Sequence, residues 1–315
     1  GFTILMYHRV LPDEECGAYP LSNLVVPRSV FRAQAEWIGR HAEVLGVDGA
    51  LGRACGTARR PRVCITFDDG YWDNADIAAP ELERVGLRAT FYLATDFVGD
   101  GAPLWFDQAA LAWSRCRPVV DSIAKRVFDR VPDSLDAWMG ALKSDAAARG
   151  AAMSMLNSQS DVDLAPAGNR PMSVEQVQSL ARRGHFIGAH TRSHPILTQL
   201  QPADLHQEVA GSVEAVRRWI GQSPVGFAYP NGSWNIAVRG SVMAAGASHA
   251  VTTLRGRAVV ATDRFELPRR AVYPASVTRF GCHCPRAFEA ELVGFHDLQR
   301  RAAVASRRLA SQLRR

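Results

Sequence analysis

Short apolar runs with strand character alternate along most of the chain with segments whose apolar residues follow a helical period. The apolar runs lie at 3–8, 63–67, 90–94, 185–190, 226–229, 249–253 and 267–273, and the helical segments lie near 29–41, 74–85, 173–183, 203–220 and 234–245. Asn74 and Ser173 are predicted helix caps. The alternation predicts a parallel sheet or barrel with helices packed outside it.

The region from 99 to 170 departs from this pattern, because it holds two or three helical segments and no strand candidate. We therefore expect a barrel domain over 1–286 that carries a helical insertion at about 99–170.

Apolar residues and arginine pairs repeat over 287–315, which predicts a basic amphipathic C-terminal helix. Such a helix can pack on its own domain, on a second copy of the chain or on an anionic membrane.

The composition is that of a folded protein with a sizeable core. The chain has 315 residues, of which 47% are hydrophobic and 22% are charged, and this excludes intrinsic disorder. The formal net charge is +6, but among the 37 basic residues only Lys125 and Lys143 are lysines. Such an arginine surplus reflects the base composition of a gene better than a nucleic-acid surface. We therefore expect no nucleic-acid partner. Because no glycine-rich phosphate loop follows a strand, we also expect no bound nucleotide.

Targeting signals are not visible in the sequence. No apolar run reaches the roughly 20 residues of a membrane-spanning helix, and Gly1 leads directly into a strand candidate. The six cysteines are scattered, which favours reduced thiols. These observations predict a location in the cytoplasm or at the cytoplasmic face of a membrane.

Polar side chains stand at the ends of three predicted strands. Asp68 and Asp69 end the first in "ITFDDG", and "FAYPNG" ends another. His190 and His194 end a third in "GAHTRSHP". Ligands of parallel α/β folds bind at the carboxyl ends of strands, and two histidines with one carboxylate form a metal site with open positions. The second aspartate would stay beside the metal as a base, while the cation offsets the repulsion between the two carboxylates.

Each motif also has an ordinary structural explanation. An Asp-Asp-Gly sequence after a strand is commonly a turn or a helix cap. Two histidines four residues apart are commonly surface or core residues. Their joint occurrence at strand ends favours a metal site over these explanations.

The motifs "TFDDG" (66–70), "HTRSHP" (190–195) and "FAYPNG" (227–232) together resemble the polysaccharide deacetylase family, which is carbohydrate esterase family four and carries the NodB-homology domain. The resemblance runs from about residue 3 to 275 and is weakest over 99–170. It implies an α/β fold, a distorted (β/α) barrel of the NodB-homology type with a helical insertion. It also implies a site in which the metal ligands are Asp69, His190 and His194 and the general base is Asp68.

Further substrate contacts follow from the resemblance. The third motif implies that Tyr229, Pro230 and Asn231 contact the substrate, and that the backbone N–H of Tyr229 holds the oxyanion. Many family members carry an arginine in this motif where the present chain has Ala228. Arg269 or Arg270 of "LPRRAV" is expected to stand in for it or to orient the base, with a surface salt bridge as the alternative.

Trp105 opens the insertion in "PLWFD" and is a candidate wall for stacking a sugar, with a core tryptophan as the alternative.

The general acid of the family usually comes from a late Leu-x-His motif, and none occurs after residue 200. In the branch of biofilm poly-glucosamine deacetylases the motif order is permuted, and an N-terminal "YH" supplies the acid. "ILMYHRV" therefore points to His8, whose ordinary pKa near ~6.5 suits proton donation. The alternative is a strand-end histidine bonded to backbone.

The resulting hypothesis is a metal-dependent hydrolase that removes the N-acetyl group from an N-acetylated amino sugar or glycan and releases acetate. Zn²⁺ is the expected ion, and Co²⁺, Ni²⁺ and Mn²⁺ are alternatives. The glycan can be free, polymeric or lipid-linked, and the C-terminal helix predicts a peripheral membrane contact or a homodimer. An O-acetyl glycan esterase, another metal-dependent amidase and a non-catalytic carbohydrate-binding protein are the competing functions.

Overall fold

The computed structural model describes residues 1–53, 59–158, 167–221, 226–259, 261–273, 278–279 and 282–293. Its strands are β1 (Phe2–Tyr7), β2 (Arg9–Leu11), β3 (Val25–Pro27), β4 (Glu43–Val44), β5 (Arg62–Phe67), β6 (Thr90–Leu93), β7 (Phe186–Ala189), β8 (Phe227–Ala228), β9 (Ala250–Arg255), β10 (Leu267–Ala271), β11 (Thr278–Arg279) and β12 (Cys282–His283). Its α-helices are α1 (Arg28–His41), α2 (Val47–Gly52), α3 (Ala79–Glu83), α4 (Thr95–Asp100), α5 (Trp105–Arg115), α6 (Arg117–Phe128), α7 (Leu135–Ser144), α8 (Ala146–Asn157), α9 (Val174–Arg182), α10 (Pro202–Ile220), α11 (Ile236–Ala244) and α12 (Pro285–Val293). A π-helical turn, Asn74–Ala78, leads into α3.

Seven parallel strands of the described chain close into a barrel. Their order is β1-β10-β9-β8-β7-β6-β5, and β5 returns to pair with β1 from Phe2 opposite Arg62 to Tyr7 opposite Phe67. β4 lies beside the start of β5. The predicted barrel is confirmed, because every strand candidate forms a barrel strand and every predicted helical segment is helical. The sequence pattern does not predict β2, β3, β4 or α2, which are short and lie outside the apolar runs and helical repeats read from the sequence.

The two predicted helix caps have different outcomes. The Ser173 hydroxyl accepts a hydrogen bond from the Gln176 N–H at 3.2 Å, and the Gln176 side chain accepts one from the Ser173 N–H at 2.8 Å. The prediction for Asn74 is wrong, because Asp73 precedes the helical turn and Asn74 lies within it. The Asn74 amide donates instead to the carbonyl oxygen of His8 at 2.8 Å, which ties this turn to the end of β1.

The two-residue period of the strands decides which side chains face the barrel interior. On β5, Ile65 and Phe67 pack in the core between the barrel and the helices, whereas Cys64 packs inside the barrel. Thr66 and Asp68 continue the inward-facing series. Asp68 therefore stands at the carboxyl end of the barrel interior.

Helices α5 to α8 lie between β6 and β7 along the chain and have a hydrophobic core of their own. Trp138 of α7 is fully buried there, and its indole N–H donates to the carbonyl oxygen of Ala109 at 3.2 Å. Asp107 of α5 joins this layer to the barrel, since it accepts hydrogen bonds from the hydroxyls of Tyr71, at 2.8 Å, and of Tyr19. The boundaries at about 99–170 and 1–286 remain predictions.

α12 begins the region in which the C-terminal amphipathic helix is predicted. Phe288 is buried, and its ring packs edge-on against Trp37 of α1 with 5.7 Å between the ring centroids. The rest of the predicted helix, from 294 to 315, lies outside the described residues. No helix of the described chain combines the length and the apolar character needed to cross a bilayer.

Candidate active site

Three side chains from two strand ends converge at the carboxyl end of the barrel. Asp69 follows β5, and His190 and His194 follow β7. The Oδ1 atom of Asp69 lies 3.5 Å from the Nε2 atom of each histidine. All three side chains are buried, and one ligand atom from each lies within 4.8 Å of the others. The fold thus brings together the three residues that the resemblance assigns as metal ligands.

The backbone around this cluster adopts conformations that most residues avoid. The φ angle is 76° at Asp69 and 58° at His194, both in the left-handed region. Gly70 follows with φ of 96°, and a Cβ atom there would lie 2.8 Å from a methyl carbon of Val98. Both the positive φ and the close approach of Val98 favour glycine at this position.

The chemistry of the cluster fits a divalent metal ion. Both carboxylate oxygens of Asp69 and the Nδ1 atom of His194 are buried without a hydrogen-bond partner among the described residues. Burial, and then the charge of Asp68, raise the pKa of Asp69 well above its usual value. A cation would satisfy the carboxylate oxygens of Asp69 and offset the repulsion between the two aspartates. Carboxylate and imidazole are ligands that Zn²⁺ and similar ions accept.

Both histidines are held in the neutral form that a metal ligand needs. Burial lowers the pKa of His190, and burial together with the charge of His190 lowers the pKa of His194 well below its usual value. The Nδ1 atom of His190 lies 2.8 Å from the carbonyl oxygen of Ala228. A hydrogen bond donated there fixes the ring so that Nε2 faces Asp69.

Asp68 is held by a buried arginine. The Nη1 and Nη2 atoms of Arg269 donate to its Oδ1 and Oδ2 atoms at 2.7 and 2.6 Å. Burial by itself would raise the pKa of Asp68, but the charge of Arg269 outweighs it and lowers the pKa to about 2. Arg270 points elsewhere and lies 3.6 Å from Glu291. Of the two arginines left open by the sequence, Arg269 contacts Asp68.

His8 lies at the end of β1 and lines the same cavity as Asp68 and Asp69. Burial lowers its pKa to about 4. The imidazole is therefore neutral at neutral pH. This lowered pKa differs from the ordinary value that the sequence led us to expect. The reason is desolvation, which a residue's position in the sequence does not show.

The third motif contributes two residues to this cavity. Tyr229 and Asn231 line it, and Pro230 lies buried between them. The Tyr229 N–H, predicted to hold the oxyanion, donates to the carbonyl oxygen of Val251 at 3.1 Å and is engaged in the sheet. The Nδ2 atom of Asn231 is buried without a partner among the described residues.

Trp105, the first residue of α5, contacts the backbone of His194. Its indole N–H donates to the carbonyl oxygen of His194 at 3.0 Å, and the guanidinium of Arg149 lies 5.2 Å from the centre of its ring. Phe106 lines the cavity at this point and packs edge-on against the His194 ring at 4.8 Å. Sugar stacking on Trp105 remains a prediction.

The cavity over these residues has a volume of about 320 Å³. Met6 and Phe106 also line the cavity and lie within "ILMYHRV" and "PLWFD", where the sequence assigned them no role. The rest of the lining lies outside the quoted motifs, namely Leu21, Asn23, Leu24, Asp136, Met139, Lys143, Thr253 and Tyr273. Most lie on loops or on the helical insertion, where no strand-end pattern marks them. Lys143 alone has a signal in the sequence, because lysine is so rare in this chain.

Comparison with known proteins identifies the family. A family model for polysaccharide deacetylases matches residues 56–250, which is more than half of the chain. The chain belongs to the polysaccharide deacetylase family. The Bacillus subtilis protein YxkH, whose name assigns it to the polysaccharide deacetylases, is 22% identical over 284 residues, which cover 89% of this chain and 75% of YxkH.

Solved structures have the same fold as this polysaccharide deacetylase. The deacetylase PplD of Streptococcus pyogenes, solved with acetate, has a TM-score of 0.61 at 18% identity, covering 92% of this chain and 97% of PplD. IcaB of Ammonifex degensii has a TM-score of 0.56 at 19% identity, covering 88% of this chain and 93% of IcaB. These likenesses establish the NodB-type barrel, and the substrate has to be argued from the site.

Proposed function

We propose that this polysaccharide deacetylase is a metal-dependent hydrolase that removes the N-acetyl group from an N-acetylated amino sugar or glycan. The main support is the arrangement of four residues in one cavity. Asp69, His190 and His194 form a buried cluster in which the Asp69 carboxylate has no hydrogen-bond partner among the described residues, and the carboxylate of Asp68, paired with Arg269, lies beside it. Hydrolysis of an acetamide needs both an electrophile for the carbonyl and a base for water.

The metal ion would be held by Asp69, His190 and His194. Once bound, a divalent ion activates water at neutral pH and polarises the acetyl carbonyl. Three protein ligands leave open positions for this chemistry. We infer Zn²⁺ as the principal occupant, and Co²⁺, Ni²⁺ and Mn²⁺ are further ions that these ligands accept.

Asp68 is placed to take a proton from the attacking water. Arg269 fixes both of its carboxylate oxygens and is itself fully buried. The guanidinium also donates to the carbonyl oxygen of Thr252 at 2.9 Å and to the hydroxyl of Thr66 at 3.2 Å. These contacts hold the carboxylate in one orientation, as a base in a reacting complex requires.

His8 is assigned as the proton donor to the departing nitrogen, because it lines the cavity beside the base. Its imidazole is neutral before substrate binds, so the proton that it delivers is one that it receives during the reaction. Asp68, which takes a proton from water, is the source within the same cavity. The amine leaves with this proton, and the acetyl group leaves as acetate.

Substitution His8→Ala is expected to lower kcat for an N-acetyl sugar by about 10²–10⁴-fold, because an amine is a poor leaving group without a proton. An aryl acetate, whose leaving group needs no proton, is expected to lose roughly threefold or less. Steady-state rates on both substrates check this, with the exposed His206 replaced by alanine as the control. Equal losses on the amide and the aryl ester would remove His8 from the acid role.

The test of the function compares acetate release from matched N-acetyl and O-acetyl sugars, with mass spectrometry to record exchange of an acetyl group for hydrogen. We expect faster release from the N-acetyl substrate. Release from the O-acetyl sugar alone would identify a glycan esterase. Release from non-sugar amides alone would identify another metal-dependent amidase. A metal-loaded protein that binds the sugar without turnover would identify a carbohydrate-binding protein.

Several finer expectations remain predictions from the sequence. They are the permuted branch with an N-terminal "YH", a lipid-linked substrate, a peripheral membrane contact, a homodimer and the cytoplasmic location.

A further inference from the structure

The wall of the catalytic cavity contributed by the helical insertion carries a charge that the proposed reaction does not use. Asp136, Met139 and Lys143 of α7 line the cavity. Their spacing of three and four residues places them on one helix face. Trp138 and Leu142 pack in the core of the insertion, and Met139 is buried at the boundary between that core and the cavity. α7 thus presents two charged side chains, Asp136 and Lys143, to the cavity.

Lys143 is the only lysine or arginine among the described residues that line this cavity. Its seven-residue separation from Asp136 is about 10 Å along a helix, too far for an ion pair. No carboxylate of the described chain lies within salt-bridge distance of its ammonium group. Lys143 is exposed at the rim of the cavity. Partial loss of water around its ammonium group lowers its pKa, and the charge of Asp136 acts in the opposite direction.

The other lysine of the chain shows the ordinary arrangement. Lys125 on α6 and Lys143 are both exposed, but the Nζ atom of Lys125 lies 2.8 Å from the carboxylate of Asp129 one turn later. All other basic residues of the chain are arginines. A lysine presents a compact point charge that suits a single anionic group, whereas arginine suits a planar two-point contact. The position and type of Lys143 both suit a single anion in the cavity.

The remaining charges at the cavity floor are already matched. Asp68 is neutralised by Arg269, and Asp69 belongs to the proposed metal site. The side of the cavity formed after β10 presents Tyr273, which is 42% exposed and offers an aromatic surface to a sugar ring. A sugar that places its acetamide on the floor can therefore meet Lys143 with a second substituent.

We propose that Lys143 is a specificity-determining residue that binds an anionic group, a phosphate or a carboxylate, carried by the amino-sugar substrate near its N-acetyl group. This inference rests on the proposed N-deacetylase function and names the class of substrate for it. Asp136, on the same helix face, accepts hydrogen bonds from neighbouring sugar hydroxyls.

The test uses three probes that share one disaccharide of N-acetylglucosamine: the neutral form, a 1-phosphate and a form with a lactyl carboxylate. We expect the metal-loaded protein to prefer an anionic form by about tenfold in kcat/KM at low salt, and the preference to shrink as salt screens it. Lys143→Ala is expected to abolish the preference through a raised KM with kcat retained. Lys143→Arg is expected to keep part of it, and Lys125→Ala all of it.

The two anionic probes identify which anion Lys143 binds, because the preferred probe is the one that loses its advantage in Lys143→Ala. Equal rates of the unaltered protein on neutral and anionic probes would overturn the inference while leaving the N-deacetylase function intact. So would equal losses on all probes in Lys143→Ala. Absence of deacetylation of every probe by the unaltered protein would instead overturn the proposed function, and this inference with it.

Discussion

The variant Asp68→Asn is expected to lose about 10²–10⁴-fold in kcat for the N-acetyl substrate, which is the contribution of a well-placed general base. Asparagine has nearly the same shape but cannot accept the proton. The metal content is expected to stay unchanged, because Asp69 and both histidines are untouched. Steady-state kinetics and elemental analysis of the same preparation check the two statements together.

The variant needs a stability control, because it leaves the buried guanidinium of Arg269 without its anionic partner. Breaking a buried ion pair costs about 3–5 kcal/mol, so rates are compared at a temperature at which thermal unfolding shows the variant to be folded. Asp121→Asn is the matched control, since it removes a carboxylate from a half-exposed surface pair with Arg117, worth at most about 1 kcal/mol. Near-normal turnover by folded Asp68→Asn would refute the base assignment.

The variant His190→Ala is expected to lose the bound metal and, with it, nearly all activity. One of three ligands disappears, and so does the contact through Ala228 that orients it. Metal per chain after dialysis is expected to fall from about one to near zero. Chelation of the unaltered protein is expected to produce the same loss, and re-addition of Zn²⁺ to restore activity in that protein only.

Thermal unfolding gives a second readout of the same prediction. A bound ion stabilises the folded state by mass action, and it also relieves the repulsion between Asp68 and Asp69. A chelator is therefore expected to lower the unfolding temperature of the unaltered protein and to leave that of His190→Ala unchanged. His206→Ala, on the exposed surface of α10, serves as the control and should respond like the unaltered protein. Full metal content in His190→Ala would exclude His190 as a ligand.

Much of this architecture could be predicted from local patterns. The strands could be predicted because each lies in a short apolar run, and the helices because their apolar residues repeat with a helical period. The candidate ligands were readable because parallel strands bring their carboxyl ends to one edge, so that motifs more than a hundred residues apart, at Asp69 and His190, meet. β4 and α2 were missed because neither has a continuous apolar run or a helical repeat, since β4 is Glu43–Val44 and α2 holds an aspartate and two glycines.

The ion-pair partners and the solvent exposure of the site residues could not be predicted from local sequence patterns. Arg269 and Arg270 are adjacent and both buried, so the sequence does not show which of them contacts Asp68. In the structure, Arg269 faces the barrel interior and binds Asp68, whereas Arg270 lies near Glu291. The pKa of His8 is set by desolvation from segments distant in the chain. Lys143 reaches the cavity only because the insertion folds over the barrel. Local periodicity thus specifies elements and candidate ligands, whereas burial, ion-pair partners and the cavity wall depend on contacts between distant segments, which arise when the chain packs.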